Sequence, residues 1–189
     1  MPQGKHSRLQ RKLTERINHT CENNHTCENN HTCENNHISE NSPTPEGSPT
    51  SPNAPIPADR AEAFPELRCT FGGRSIVPDI AVFRHSRIPT DQNGDIADAF
   101  ALPPDWTIEI LPPNQSTTKV IDNILHCLQN GCEMGWLLDP AERSVTAYPK
   151  DQQPIHLSNP NAILPVPTFA TALDLTVAQL FGWLQSRNS

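Results

Sequence analysis

Two apolar segments of this chain each enclose one carboxylate, and this pattern constrains the fold more than any other. The first spans residues 77–83 and contains Asp79, and the second spans residues 106–111 and contains Glu109. A charge inside an apolar strand is costly unless another group pairs with it. The pattern therefore predicts two neighbouring strands of one sheet whose carboxylates together hold a divalent metal ion.

Residues 1–17 have a different character from the rest of the chain. Leu9, Leu13 and Ile17 recur every four residues, with arginine and lysine side chains on the other faces. This spacing predicts a basic amphipathic helix at residues 7–17. Two interpretations of its cationic side remain open, namely a solvated surface and a surface that contacts phosphates.

Residues 18–60 are predicted to be a disordered insert. They hold three identical copies of His-Thr-Cys-Glu-Asn-Asn, followed by a Ser/Pro-rich stretch with six prolines between 43 and 57. The repeat has no apolar residue except cysteine and cannot bury a core, and the second stretch has the composition of a linker. In another interpretation the repeat is a Zn²⁺ or Cu⁺ module, and Zn²⁺ binding would then disappear when residues 19–36 are deleted. The ligands of such a module would be His19, Cys21, His25, Cys27, His31 and Cys33.

Charge and cysteine usage narrow the class of protein. The net charge of −7 gives no global positive field for nucleic acid, so DNA binding would need a local basic patch. No segment has the length of a membrane span or the character of a signal peptide. Three of the six cysteines lie in the repeat and the others lack paired metal-ligand spacing. We therefore expect a cytoplasmic protein with reduced thiols.

The globular part is predicted to span residues 61–189. Its element order, β-β-β-α-β-β-α, predicts an α/β domain in which helices flank a mixed sheet. The predicted elements are strands at 66–71 and 75–83 around a Gly72-Gly73 turn, a loop at 85–104, a strand at 106–111, a helix from a cap at Ser116 to Asn130, a hairpin of 134–138 and 144–148, and a final helix containing Val177, Leu180, Phe181 and Leu184.

Asp79 and Glu109 would suit Mg²⁺, which prefers oxygen ligands and usually takes one or two carboxylates. Lys119, in the first turn of the following helix, is the candidate cation that orients water or meets developing negative charge. Asn123 lies on the same helix face one turn later. Each candidate also has a structural alternative: Asp79 as a turn residue, Glu109 as a group on a polar surface, and Lys119 as an ordinary surface lysine.

Four motifs of the chain, taken in order, resemble one bacterial family. VPDIAVF, WTIEIL, STTKVIDNILHCLQNG and GWLLDPAERSVTAY resemble the Uma family of restriction-endonuclease-like proteins, over residues 61–184 and also 1–17. The resemblance implies the fold of the PD-(D/E)xK nuclease superfamily, a central mixed sheet between helices. It also implies a DNA endonuclease that uses Mg²⁺ or Mn²⁺ and often dimerises. Asp79 and Glu109 would be its metal ligands, with the carbonyl of Ile110 as a third.

The chain departs from the family pattern in three places. Leu111 stands where a strict motif has lysine, and Asn123 stands where the family carries its displaced lysine. Asparagine has no positive charge, so Lys119 is expected to replace it as a catalytic group. The opening strands of the family are expected to be missing, and the insert at 18–60 separates the first helix from the strand that it normally precedes. A second hypothesis is therefore a degenerate member that binds nucleic acid or a protein partner without cleavage.

Overall fold

A six-stranded mixed sheet with helices on both faces forms the centre of the molecule. The computed structural model describes residues 4–22, 60–112 and 117–185, so the later repeat copies, the proline-rich stretch and Ser116 lie outside the described residues. Among the helices in these ranges, none is long and apolar enough to cross a membrane. The elements are α1 (Gly4–Glu22), β1 (Ala61–Pro65), β2 (Cys69–Phe71), β3 (Arg74–Ile76), β4 (Ile80–Arg84), β5 (Trp106–Ile110), α2 (Thr117–Gln129), β6 (Met134–Asp139), β7 (Ser144–Pro149), β8 (Ile155–Leu157) and α3 (Val177–Gly182).

The strand order of the large sheet is β1-β4-β5-β6-β7-β8, and β2 and β3 form a separate hairpin. β5 and β6 run parallel, while the other neighbours in the sheet pair antiparallel. Two parallel strands need a crossover connection, and α2 supplies it between β5 and β6. The predicted α/β class, with a mixed sheet flanked by helices, is confirmed.

The two faces of β5 serve different purposes. Trp106, Ile108 and Ile110 point into the larger core, which also contains the apolar stripe of α1 and the buried side chains of α3. Successive strand residues alternate between faces, so Glu109 lies on the opposite face. α2 covers that opposite face.

A glycine in β6 lets α2 lie close to the sheet. A Cβ atom on Gly135 would overlap the side chain of Ile124 in α2, so any larger residue would push the helix outward. Gly135 pairs with Thr107 of β5, two residues before Glu109. The close approach therefore holds α2 within reach of the carboxylate on β5.

Two predicted strands are shorter than expected, one because of the backbone conformation of Glu66 and one because Pro78 interrupts it. Of the strand predicted at 66–71, only β2 forms, since β1 ends at Pro65 and Glu66 has a left-handed φ of 53°. The strand predicted at 75–83 is divided into β3 and β4, because Pro78 has no N–H for a central ladder. Asp79 therefore lies in the turn before β4. β1 and β8 are additional to the predicted elements.

α1 extends beyond both ends of the helix predicted at 7–17, and its last turn includes the start of the first repeat copy. Cys21 is buried in the core beside the apolar stripe, so this part of the predicted disordered insert belongs to the fold. Asn18 joins the helix to β1, the edge strand. Its Nδ2 donates to the carbonyl of Ala63 at 3.2 Å, and the Ala63 N–H donates to Oδ1 at 2.7 Å. The contact satisfies the backbone N–H and C=O of one residue of the edge strand.

Candidate active site

A cavity of about 180 Å³ opens where β5 ends and β4 begins. All four predicted site residues line it: Asp79 from the turn before β4, Glu109 and Ile110 from the end of β5, and Lys119 from the first turn of α2. The structure thus brings together the two carboxylates that the sequence singled out. The other residues that line the cavity are His6, Val77, Pro112, Val120 and Asn123.

Both carboxylate oxygens of Asp79 have hydrogen-bonding partners. The N–H of Ile110 donates to Oδ2 at 2.6 Å, which ties the turn to the end of β5. His6 Nε2 lies 3.1 Å from Oδ1, and Gln10 Nε2 donates to the Asp79 carbonyl at 2.8 Å. The hydrogen bond to Asp79 raises the pKa of His6, and burial opposes this shift. α1 therefore positions Asp79 through two side chains.

Glu109 is only 7% exposed. Burial, together with the negative charge of Asp79, raises the pKa of Glu109 to about 8. Asn123 Nδ2 donates to Oε1 at 3.4 Å and opposes that shift. The alternative in which Glu109 lies on a polar surface is wrong, because α2 covers this face of β5.

Lys119 and Ile110 occupy different parts of the cavity. The Lys119 side chain is exposed at the rim, where it can meet a ligand that arrives from solvent. The N–H of Ile110 points to Asp79, whereas the next amide, that of Leu111, donates to Leu138 in β6. Since the N–H and C=O of a strand residue point to the same side, the Ile110 carbonyl is expected to face the cavity. The functional roles of both residues stay predictions.

Two side chains that contribute to the site, His6 and Arg74, were not among the site residues predicted from the sequence. His6 and Gln10 are both buried, at 8% exposure, and they continue the apolar stripe of α1 at helical spacing. Polar residues on an otherwise apolar face are a usable signal. Arg74 donates to Asn123 at 2.7 Å. It carries no comparable signal, because a charged residue after a Gly-Gly turn is ordinary.

The oxygen atoms at the site suit a hard divalent cation. Asp79, Glu109 and the Ile110 carbonyl offer the ligand type that Mg²⁺ prefers. A cation there would also offset the repulsion between the carboxylates that contributes to the raised pKa of Glu109. Across the described ranges, no group of three or more His, Cys, Asp and Glu side chains is arranged to hold a metal. Mg²⁺ usually takes one or two carboxylates, and water and phosphate oxygens would complete its coordination.

Proteins similar to this chain are described as nucleases. Residues 53–178 match the Uma2 family, described as putative restriction endonuclease. A solved structure, a putative nuclease belonging to DUF820 from Anabaena variabilis ATCC 29413, has a TM-score of 0.77 to this chain and 44% sequence identity; the match covers 98% of this chain and 84% of that one. No curated protein matches. The resemblance inferred from the four motifs is confirmed.

Proposed function

The chain belongs to the Uma2 family, and from that premise we propose that it is a DNA endonuclease that hydrolyses phosphodiester bonds with Mg²⁺ or Mn²⁺. The observation that carries the proposal is that Asp79 and the buried Glu109 line the same cavity. Burying a carboxyl group beside a second carboxylate destabilises the folded state, so a contribution to stability does not explain this arrangement. Such a pair is typical of a site that binds a cation.

In this proposal Asp79, Glu109 and the Ile110 carbonyl hold the ion. Bound there, it would stabilise negative charge on the scissile phosphate and lower the pKa of an attacking water. His6 keeps the Asp79 carboxylate in one orientation through its contact with Oδ1. Lys119, at the rim, meets a phosphate oxygen as charge develops there.

The proposal is tested by incubating the purified full-length chain with supercoiled plasmid and with single-stranded DNA. We expect cleavage when Mg²⁺ or Mn²⁺ is present and none when a chelator is in excess. Absence of cleavage by a chain that circular dichroism shows to be folded would contradict the proposal. It would favour the degenerate member that binds without cutting, for which Asn123 at the lysine position is the supporting observation.

The amino-terminal half of α1 is the surface we assign to the DNA backbone. His6 contacts Asp79, so this half of the helix borders the cavity. Lys5, Arg8 and Lys12 lie within about 10 Å of His6 along the helix axis, at 1.5 Å of rise per residue. The side chains of Arg8 and Lys12 lie on the side of α1 that faces Trp183 and Gln185. α1 carries five of the 14 lysines and arginines of a chain whose net charge is −7. It is therefore a local basic patch of the kind that phosphate contact requires.

Neutralising two of these cations, in the variant Arg8→Gln/Lys12→Gln, is expected to weaken DNA binding and make it less sensitive to salt. Each phosphate contact that is lost should reduce the slope of log affinity against log salt by about one, so the pair should reduce it by about two. Fluorescence anisotropy with a labelled duplex and Ca²⁺, between about 50 and 200 mM KCl, measures the slope.

Lys150→Gln, which removes one cation where the α1 variant removes two, is the control. Lys150 is exposed and follows β7 at the end of the sheet opposite the cavity, since Pro149 pairs with Met134 and Met134 with Trp106. The control should leave the slope unchanged. A reduction of the slope by about one in Lys150→Gln, or an unchanged slope in the α1 variant, would contradict the assignment of this surface.

A further inference from the structure

The hairpin of β2 and β3 is docked on α2 beside the cavity. Gly72 and Gly73 form its turn with φ of 55° and 73°, conformations that favour glycine. The ring of Phe71 stacks on His126 of α2 with centroids 4.8 Å apart, and His126 Nε2 lies 3.2 Å from the Phe71 carbonyl. Because these contacts fix the hairpin on α2, Arg74, the first strand residue after the turn, is held within reach of the helix.

Arg74 makes two hydrogen bonds to neighbouring residues of α2. Its Nη1 donates to Asp122 Oδ2 at 2.7 Å, and its Nη2 donates to Asn123 Oδ1 at 2.7 Å. A guanidinium group has only donors, so the Asn123 atom that faces it must be the oxygen. The amide nitrogen then faces Glu109, which it approaches at 3.4 Å.

We propose that Arg74 is a positioning residue that acts through Asn123 to hold the Glu109 carboxylate in place for its ligand. This inference rests on the proposed function. Arg74 fixes which end of the Asn123 amide faces Glu109, and it places a positive charge behind that amide. Asn123 supplies the hydrogen-bond donor to Glu109, and Arg74 supplies the positive charge that asparagine lacks.

The alternative role for Arg74 is a clamp that only attaches the hairpin to α2. The Asp122 contact would serve that purpose without Asn123, but it is a surface ion pair, with the side chains of Arg74 and Asp122 39% and 64% exposed. Exposed pairs of this kind contribute little to stability. The two roles are separable, because Asp122→Asn weakens the clamp and leaves the path to Glu109 intact.

The first test uses nuclear magnetic resonance on the full-length, metal-free protein, with assigned signals for the Asn123 side-chain amide and the Glu109 carboxyl carbon. Arg74→Met is expected to shift both signals, because the amide is no longer held by a donor. Asp122→Asn should leave both near their wild-type positions, and Arg74→Lys, which keeps a cationic donor, should recover them in part. An unchanged Glu109 signal in Arg74→Met, or an equal shift in Asp122→Asn, would overturn the proposal.

The second test measures Mn²⁺ affinity by titration calorimetry without DNA. Arg74→Met and Asn123→Leu should each lower the affinity by about tenfold, the usual effect of removing a group that orients a metal ligand. Because both act on one path, the double variant should lose no more than either single one. Losses that multiply in the double variant would overturn the proposal. If the wild-type chain cleaves no DNA, the proposed function fails. The resonance signals of Asn123 and Glu109 in the metal-free protein still decide whether Arg74 acts through Asn123.

Discussion

Asp79→Asn and Glu109→Gln are each expected to reduce metal-dependent DNA cleavage by about a thousandfold or more. Both substitutions keep the shape of the side chain and remove a negatively charged ligand. Stabilisation of phosphate charge by a bound ion is worth several kcal/mol, and about 4 kcal/mol corresponds to a thousandfold in rate. Initial rates of plasmid nicking in Mg²⁺ and in Mn²⁺ measure the loss.

Asp151→Asn is the matched control for this prediction. Asp151 is exposed after β7, away from the cavity, and its left-handed φ of 58° is one that asparagine tolerates. It should cleave at the wild-type rate. If Asp79→Asn or Glu109→Gln cleaved as fast as this control, the two carboxylates would not form the active site.

The spacing of apolar residues predicted most of the central sheet. β5, the hairpin of β6 and β7, and the apolar stripe of α1 follow from periodicity, because each buries one face against the same core. The interruptions were harder to predict. Pro78 divides one predicted strand and Glu66 shortens another, and both effects depend on which strands become central, which periodicity does not specify.

The carboxylates of the site could be predicted, but their surroundings could not. Asp79 and Glu109 stand out as charges in apolar segments, which is a local signal. Through tertiary contacts, His6 reaches Asp79 directly, whereas Arg74 reaches Glu109 only by way of Asn123. No local pattern brings residue 6 to residue 79. The basic character of α1 was visible in the sequence, whereas its position beside the cavity follows from the contacts of His6 and Gln10 with Asp79.

Glu109→Gln is also expected to stabilise the metal-free protein at alkaline pH. The pKa of Glu109 is raised to about 8 in the folded state, above its ordinary value of 4.5. The unfolded chain therefore releases this proton at lower pH than the folded chain does. In the wild type, the free energy of unfolding should fall as pH rises from about 4.5 to 8, by several kcal/mol and at most about 5 kcal/mol. Glutamine cannot ionise, so the variant loses this decline.

Chemical denaturation of both proteins in chelator, at pH 4, 6, 8 and 9, tests the prediction, with Glu142→Gln on the exposed turn between β6 and β7 as the control. The difference between Glu109→Gln and wild type should be small at pH 4, grow up to about pH 8 and level off above it. Adding Mn²⁺ at pH 8 should stabilise the wild type, because the ion binds the folded state, and should have less effect on Glu109→Gln. A difference independent of both pH and Mn²⁺ would mean that folding does not raise the pKa of Glu109 and that Glu109 does not bind the ion.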